Sequence, residues 1–176
     1  SPPQVVRFSV PMKSGQTLIP ALNDAPFALS PDGTHLAYAA IDSGATAPTL
    51  HLRALDQFAT TVFAGTEGAV APFFSPDGLW IGFLTFNREI KKVAASGGPV
   101  SPIATASSLS RGAPSWGDDH TISAFISPGI AMRVGDGGGA PTVSLDSTKG
   151  SGMAPFVLPG SRAVLVTLCP MSGAGC

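Results

Sequence analysis

Charge is scarce in this chain. Asp, Glu, Lys and Arg make up 12% of its 176 residues, about half the share of an ordinary globular domain, and the formal net charge is −1. No long basic run occurs, which argues against an electrostatic nucleic-acid binder. No apolar run approaches the ~20 residues that a membrane-crossing helix needs, so the sequence holds no such span. No Gly-x-Ser-x-Gly elbow occurs, so an ordinary α/β-hydrolase reading fails, and no P-loop is present. A kinase catalytic motif is absent as well. No apolar face of 3.6-residue period is sustained long enough for a good helix, which excludes a helical bundle or coiled coil. Cysteine is limited to Cys169 and Cys176. A disulfide between them would close a small terminal loop and fit an oxidising compartment; the other reading is two free thiols. The chain opens at Ser1 with neither Met nor a signal-peptide pattern, and is expected to be a processed product or an excised piece.

Gly and Pro are abundant. Together they supply 38 residues, about a fifth of the chain, against a usual share of roughly 12%. With 44% apolar residues the chain can build a core and is no disordered tail. This composition points to short strands joined by many turns.

Those turns recur in phase. Ser-Pro-Asp-Gly stands at Ser30–Gly33 and again at Ser75–Gly78, 45 positions later. A variant, Gly117–His120, follows after 42 positions, and a weaker one, Leu158–Ser161, after 41 more. An Ala-Pro pair precedes each, at Ala25-Pro26, Ala71-Pro72, Ala113-Pro114 and Ala154-Pro155. Gly97-Gly98 is matched by Gly138-Gly139. In the Pro-Asp-Gly turns, Pro fixes φ, Asp bonds the local backbone, and Gly takes positive φ, so Asp32, Gly33, Asp77 and Gly78 read as structural. Between turns, β-forming runs alternate. The first repeat predicts strands over Pro26–Leu29, His35–Ala40, Thr49–Leu55 and Thr60–Ala64. The second predicts Pro72–Ser75, Trp80–Thr85, Glu89–Ala94 and Val100–Ala104. The third predicts Pro114–Trp116, Thr121–Ile126, Ile130–Val134 and Pro141–Leu145; the fourth ends after Pro155–Leu158 and Arg162–Leu168. Ala104–Arg111 reads as loop.

Four strands per 40 to 45 residues is the mark of a β-propeller blade. The expected fold is all-β, a single propeller unit of about three and a half blades of four antiparallel strands (about 21–64, 65–104, 105–145 and 146–176), with an N-terminal closing strand near Val5–Val10. A plain sandwich has no reason to repeat its turns in phase, and a β-helix would use a shorter period.

The strings FALSPDGTHLAYAA and FFSPDGLWIGFL resemble the WD40-like repeats of the TolB type, also called PD40 repeats. KKVAASGGPV and GAPSWGDDHTISAF match the same repeat, and the resemblance covers nearly the whole chain. With its opening VVRFSVPMKSGQ, the chain is similar to the C-terminal sensor propeller of bacterial transmembrane Ser/Thr protein kinases. That resemblance implies a periplasmic or extracellular location. The third turn departs from the pattern, with Asp118, Asp119 and His120 in place of Pro-Asp-Gly. His is among the few non-Gly residues that tolerate positive φ, so the turn can survive.

Candidate chemistry is thin. Gly135–Gly139 is Gly-rich but joins two expected strands, whereas a phosphate cradle needs a following helix. His35, His51 and His120 lie in different repeats without metal spacing. His51 alternates with Leu50 and Leu52 and should point away from their face. Asp118, Asp119 and His120 form the only local group with metal-ligand chemistry, and three residues on one turn rarely complete a site, so no metal or other cofactor is expected. Trp80 and Trp116 read as core or inter-blade packing. Loops leading into the innermost strands should gather at one mouth of a propeller channel. There they would bring together Asp24, Glu67, Arg111 and Lys149, a set able to hold a polar or zwitterionic ligand, although a merely solvated rim explains them too.

The expected role is a non-catalytic sensor or scaffold module that binds a peptide, glycan or protein. An incomplete ring would leave an unpaired edge, so self-association into a homodimer that completes the ring is expected. The competing reading is a propeller hydrolase acting on esters, lactones or glycosides, with Glu67, Asp24 and Asp118–His120 around the channel and a divalent metal. A third is an accessory lid of the prolyl-oligopeptidase kind.

Overall fold

The computed structural model describes residues 9, 11–19, 26–105, 112–127, 130–146 and 150–170, with backbone alone at 126–127, 145–146, 150–154 and 168–170. Among these residues there is no helix, and hence none long and apolar enough to cross a membrane. The strands fall into four antiparallel sheets that succeed one another along the chain. The first holds β1 (Thr17–Leu18), β2 (Phe27–Leu29), β3 (His35–Ile41), β4 (Thr49–Ala54) and β5 (Thr60–Val62). The second holds β6 (Ala69–Phe74), β7 (Trp80–Thr85), β8 (Glu89–Ala94) and β9 (Ser101–Thr105). The third holds β10 (Ser115–Trp116), β11 (Thr121–Ser127), β12 (Ile130–Gly135) and β13 (Thr142–Asp146). The fourth holds β14 (Gly150–Val157) and β15 (Val164–Pro170). Each sheet packs face to face on the next, as the blades of a propeller do. Val5–Val10 lies outside the described residues, apart from Ser9.

Alternation along the strands builds the two inter-blade cores. On β7, Ile81 and Phe83 turn toward the first blade and pack with Ala37, Leu50, Leu52 and Phe63. Leu84 turns the other way and joins Phe73, Ile90 and Ile103 against Trp116, Ile122, Met132 and Val134 of the third blade. Each such side chain taken out of water contributes about 1.5–3 kcal/mol before entropy is counted. The second blade is therefore buried on both faces.

In the second and fourth blades the innermost strand begins earlier than the sequence suggested, and Ala-Pro bulges it rather than starting it; in the third, Ser115–Trp116 follows Ala113-Pro114 as expected. Val70 pairs with Leu84 and Phe73 with Gly82, so Ala71 and Pro72 together face Phe83, and Ala71 sits at φ 46°. In the fourth blade Met153 pairs with Thr167 and Phe156 with Leu165, which places Ala154 and Pro155 opposite Val166. Pro has no N–H for a ladder, and a bulge is one of the few places in a sheet that needs none. The first blade breaks its innermost strand at the same point. Leu18 pairs with Ala40 and Phe27 with Tyr38, while Ala39 accepts from the Ile19 N–H and donates to the Pro26 carbonyl. Thus β1 and β2 are the two halves of one strand. Gly82 is the other fixed point. A Cβ there would overlap the Phe73 ring, so only Gly lets that ring lie across the sheet.

Candidate functional site

The four turns that follow the innermost strands are built alike. The fourth residue of each has positive φ: Gly33 at 71°, Gly78 at 71°, His120 at 60° and Ser161 at 53°. In each, its N–H returns to the carbonyl of the first turn residue, at 2.8 to 3.2 Å. The third turn is one residue shorter, since Gly117 bonds Thr121 where Ser30 bonds His35. In the first two turns the Asp closes the loop. Ser30 Oγ donates to Asp32 Oδ1 at 2.5 Å, the Thr34 N–H at 3.0 Å, and Thr34 Oγ1 donates to Oδ2 at 2.8 Å. Those bonds, the Ser30 hydroxyl first, bring the Asp32 carboxyl down to about 2. Asp77 repeats the arrangement with Ser75 Oγ and the Leu79 N–H, and its carboxyl is lowered for the same reason.

In the third turn the three side chains diverge. Asp118 Oδ2 accepts the Gly160 N–H at 2.7 Å, tying the third blade to the fourth. Asp119 binds Thr121 and pairs with Arg133 Nη2 at 2.5 Å. Burial raises the Asp119 carboxyl, but the Thr121 hydroxyl and N–H, Arg133 and Ser161 together outweigh it and leave it lowered. His120 Nδ1 lies 3.1 Å from Asp136 Oδ2. Each is engaged with a different partner, and among the described residues no three His, Cys, Asp or Glu side chains gather to hold a metal.

Just inside these turns the strand ends enclose a cavity of about 660 Å³. All four blades line it, with Phe27 and Leu29 from the first, Phe73 and Phe74 from the second, Trp116 from the third, and Phe156 and Leu158 from the fourth. Prolines 31, 72, 76, 114, 155 and 159 ring it. Ser75, Ser115 and Asp118 are its polar members; Ser75 already binds Asp77, Ser115 Oγ accepts the Val157 N–H at 2.9 Å, and Asp118 serves Gly160. The site is thus largely apolar, and Ser75, Ser115 and one oxygen of Asp118 are engaged within the chain.

Beside it, a cleft of about 460 Å³ runs between the second and third blades, bounded by Trp80, Trp116, Asp77, Asp118, His120 and Asp136. Lys92 Nζ stands over both indoles, 4.7 Å from the Trp80 ring and 5.8 Å from Trp116. Trp116 also donates to Asp136 Oδ2 at 3.3 Å.

Of the charged loop set expected at a channel mouth, Glu67 alone falls among the described residues. Glu67 is exposed in the turn before β6, at the far end of a strand about 20 Å long, and does not line the cavity. For the same reason it stands away from Asp118–His120. Asp24, Arg111 and Lys149 lie outside the described residues, as does Cys176; Cys169 is described as backbone only, opposite Ser151. His51 does point away from the Leu50 face, yet it is fully buried. Tyr38 stacks on it at 5.0 Å, and Gln16 of the N-terminal segment reaches its ring and Asp42. Burial lowers its pKa, and Asp42 opposes that.

The sequence matches no family model and no curated protein. Solved structures match it well. A protein of Agrobacterium tumefaciens assigned as TolB superposes with a TM-score of 0.60 at 20% identity, over 84% of this chain and 60% of that one. TolB of Acinetobacter baumannii gives 0.65 at 22% identity, over 85% and 38%. Oligogalacturonate lyase of Vibrio parahaemolyticus gives 0.58 at 13% identity, over 75% and 42%. At these identities the likeness is one of fold: this is a TolB-like β-propeller architecture, and the chain spans less than two thirds of the length of each.

Proposed function

We propose that the chain is a ligand- or protein-binding propeller module, an extracytoplasmic sensor or scaffold region of a larger protein. One observation carries this reading: the four innermost strands meet around an apolar cavity. A surface of Phe, Leu, Trp and Pro with few polar side chains rewards a partner that brings apolar or aromatic side chains. A glycan, whose many hydroxyls need acceptors and donors, would find few there beyond the Asp118 carboxylate. Among the ligands open to a propeller, a peptide or protein segment bearing aromatic or Pro residues fits best. The TolB likeness supports a location outside the cytoplasm.

The test is titration of the chain with peptides rich in Pro and aromatic residues, followed by tryptophan fluorescence, since Trp116 lines the cavity. Leu158→Ser should weaken binding by about tenfold, as expected for one apolar side chain withdrawn from the contact. Equal affinity in the variant would overturn the proposal. So would metal-dependent turnover of ester or lactone substrates that disappears in Glu67→Ala, the mark of the hydrolase reading.

A further inference from the structure

We propose that the cleft between the second and third blades is the seat for an arginine side chain of the bound segment, beside the apolar cavity that takes its aromatic or Pro residues. The inference rests on the peptide-binding reading above and names the charged part of the partner.

The fold builds the same cleft twice. Between the first and second blades its lining includes Asp32 and His35 on one side and Phe74, Pro76, Leu79 and Ala95 on the other. Backbone bonds fix the equivalent positions one blade later. The Ser75 N–H bonds the Trp80 carbonyl as Ser30 bonds His35, and the Asp136 N–H bonds His120 as Ala95 bonds Leu79. Trp116 precedes its turn as Phe74 does, and Asp118 stands second in its turn as Pro76 does. Two indoles therefore stand where the first cleft has His35 and Phe74. Asp118, His120 and Asp136 stand where it has only apolar Pro76, Leu79 and Ala95.

These exchanges set the chemistry. Each of the three carboxylates spends one oxygen within the chain: Asp77 Oδ1 on the Ser75 hydroxyl and Leu79 N–H, Asp118 Oδ2 on the Gly160 N–H, and Asp136 Oδ2 on the Trp116 and His120 ring nitrogens. Among the described residues the other oxygen of each has no partner. No Lys or Arg lines the cleft. Arg133 is paired with Asp119, and Lys92 stands over the indoles, which shows that the pair accepts a cation. An anion would be repelled here, and a neutral ligand would leave the carboxylates uncompensated. Arginine uses both parts of the cleft, since its flat guanidinium stacks on an indole and its fork donates to carboxylates. Ser75, Pro76, Trp116 and Asp118 border both the cleft and the apolar cavity, so neighbouring residues of one segment reach both.

The probe is an acetylated and amidated Phe-Pro-Arg peptide, set against the same peptide with citrulline, which keeps the shape of Arg without its charge. Both tryptophans of the chain border the cleft, and Trp80 does not line the apolar cavity. Their indole N–H resonances therefore read the two subsites separately. The Arg peptide should shift both and bind about tenfold tighter than the citrulline peptide, an advantage that shrinks as salt is added. Asp136→Asn, which keeps an oxygen for the Trp116 N–H, should bring the two affinities close together. Equal affinities for the parent chain, or shifts confined to Trp116, overturn the arginine seat and leave the apolar cavity as the binding site. A preference for Arg with shifts confined to Trp80 supports the seat and overturns the apolar reading. Spectra that neither peptide moves overturn both, and an undiminished Arg preference in Asp136→Asn overturns the seat.

Discussion

The second and fourth blades carry the same Ala-Pro and turn spacing and are held in different ways. The second has four strands, cores on both faces, and a Ser-Pro-Asp-Gly turn whose carboxylate bonds its own backbone. The fourth has two strands among the described residues, and its turn, Leu158–Ser161, carries no carboxylate. It is tied sideways instead. Ser161 Oγ accepts the Asp119 N–H at 3.2 Å, Asp118 holds the Gly160 N–H, and Ser115 holds the Val157 N–H. The turn keeps its backbone closure, but the side-chain bonds that a carboxylate of its own would make come from its neighbour. In a propeller, then, a repeat can lose its motif where the adjacent blade supplies the missing bonds, and its stability becomes a property of the pair.

Three substitutions probe that contrast. Phe83, fully buried between the first and second blades, should cost about 3–5 kcal/mol on truncation to Ala, read by urea unfolding. Leu165→Ala in the fourth blade, where the side chain is 64% exposed, should cost under about 0.5 kcal/mol. Equal losses would erase the distinction between the blades. Gly82→Ala comes next. Its methyl must displace the Phe73 ring from the core shared with Trp116, at about 1–3 kcal/mol, together with a change in Trp emission.

The smallest effect is acid-dependent and separates the turns. The Asp32 carboxyl sits at about 2 when folded against an ordinary 3.8, so its ionised form favours the folded chain. That contribution is complete above about pH 4 and is lost as the pH falls toward 2. The melting temperature of Asp32→Asn should therefore lie slightly below the parent's at pH 6, and the gap should narrow steadily as the pH falls from 4 through 2. A gap that is constant with pH would remove the carboxylate from the account of the turn.

Much of the architecture was legible because turn chemistry is local. Pro, Asp and Gly each act on their own few bonds, so the repeat period and the positive φ at His120 follow from residue type. The starts of β6 and β14 were misread because Pro was taken as a boundary; its missing N–H is equally satisfied by a bulge, and one sequence does not say which. Thr17–Leu18 was not foreseen, since two residues carry no alternation and their pairing with β3 is decided by a partner more than 20 positions away. The site escaped for a related reason. Phe27, Leu29, Phe156 and Leu158 look in sequence like ordinary core residues. Only the succession of blades reveals that their strand ends converge. Charged loops drew attention instead, and the one that is described, Glu67, stands at the other end of its strand.

The Ala-Pro bulge has a consequence for how this architecture tolerates change. At that point in the first blade Leu18 pairs with Ala40 and Phe27 with Tyr38, so the pairing on either side of Ala39 keeps the register that the second and fourth blades show around two residues. A length difference of several residues is absorbed without turning a single side chain onto the wrong face. The bulge is a splice point in a load-carrying strand, open at the lumen of the propeller. New loops could be grafted at Ala71-Pro72 or Ala154-Pro155 to reshape what the channel admits while the blades around them stay as they are.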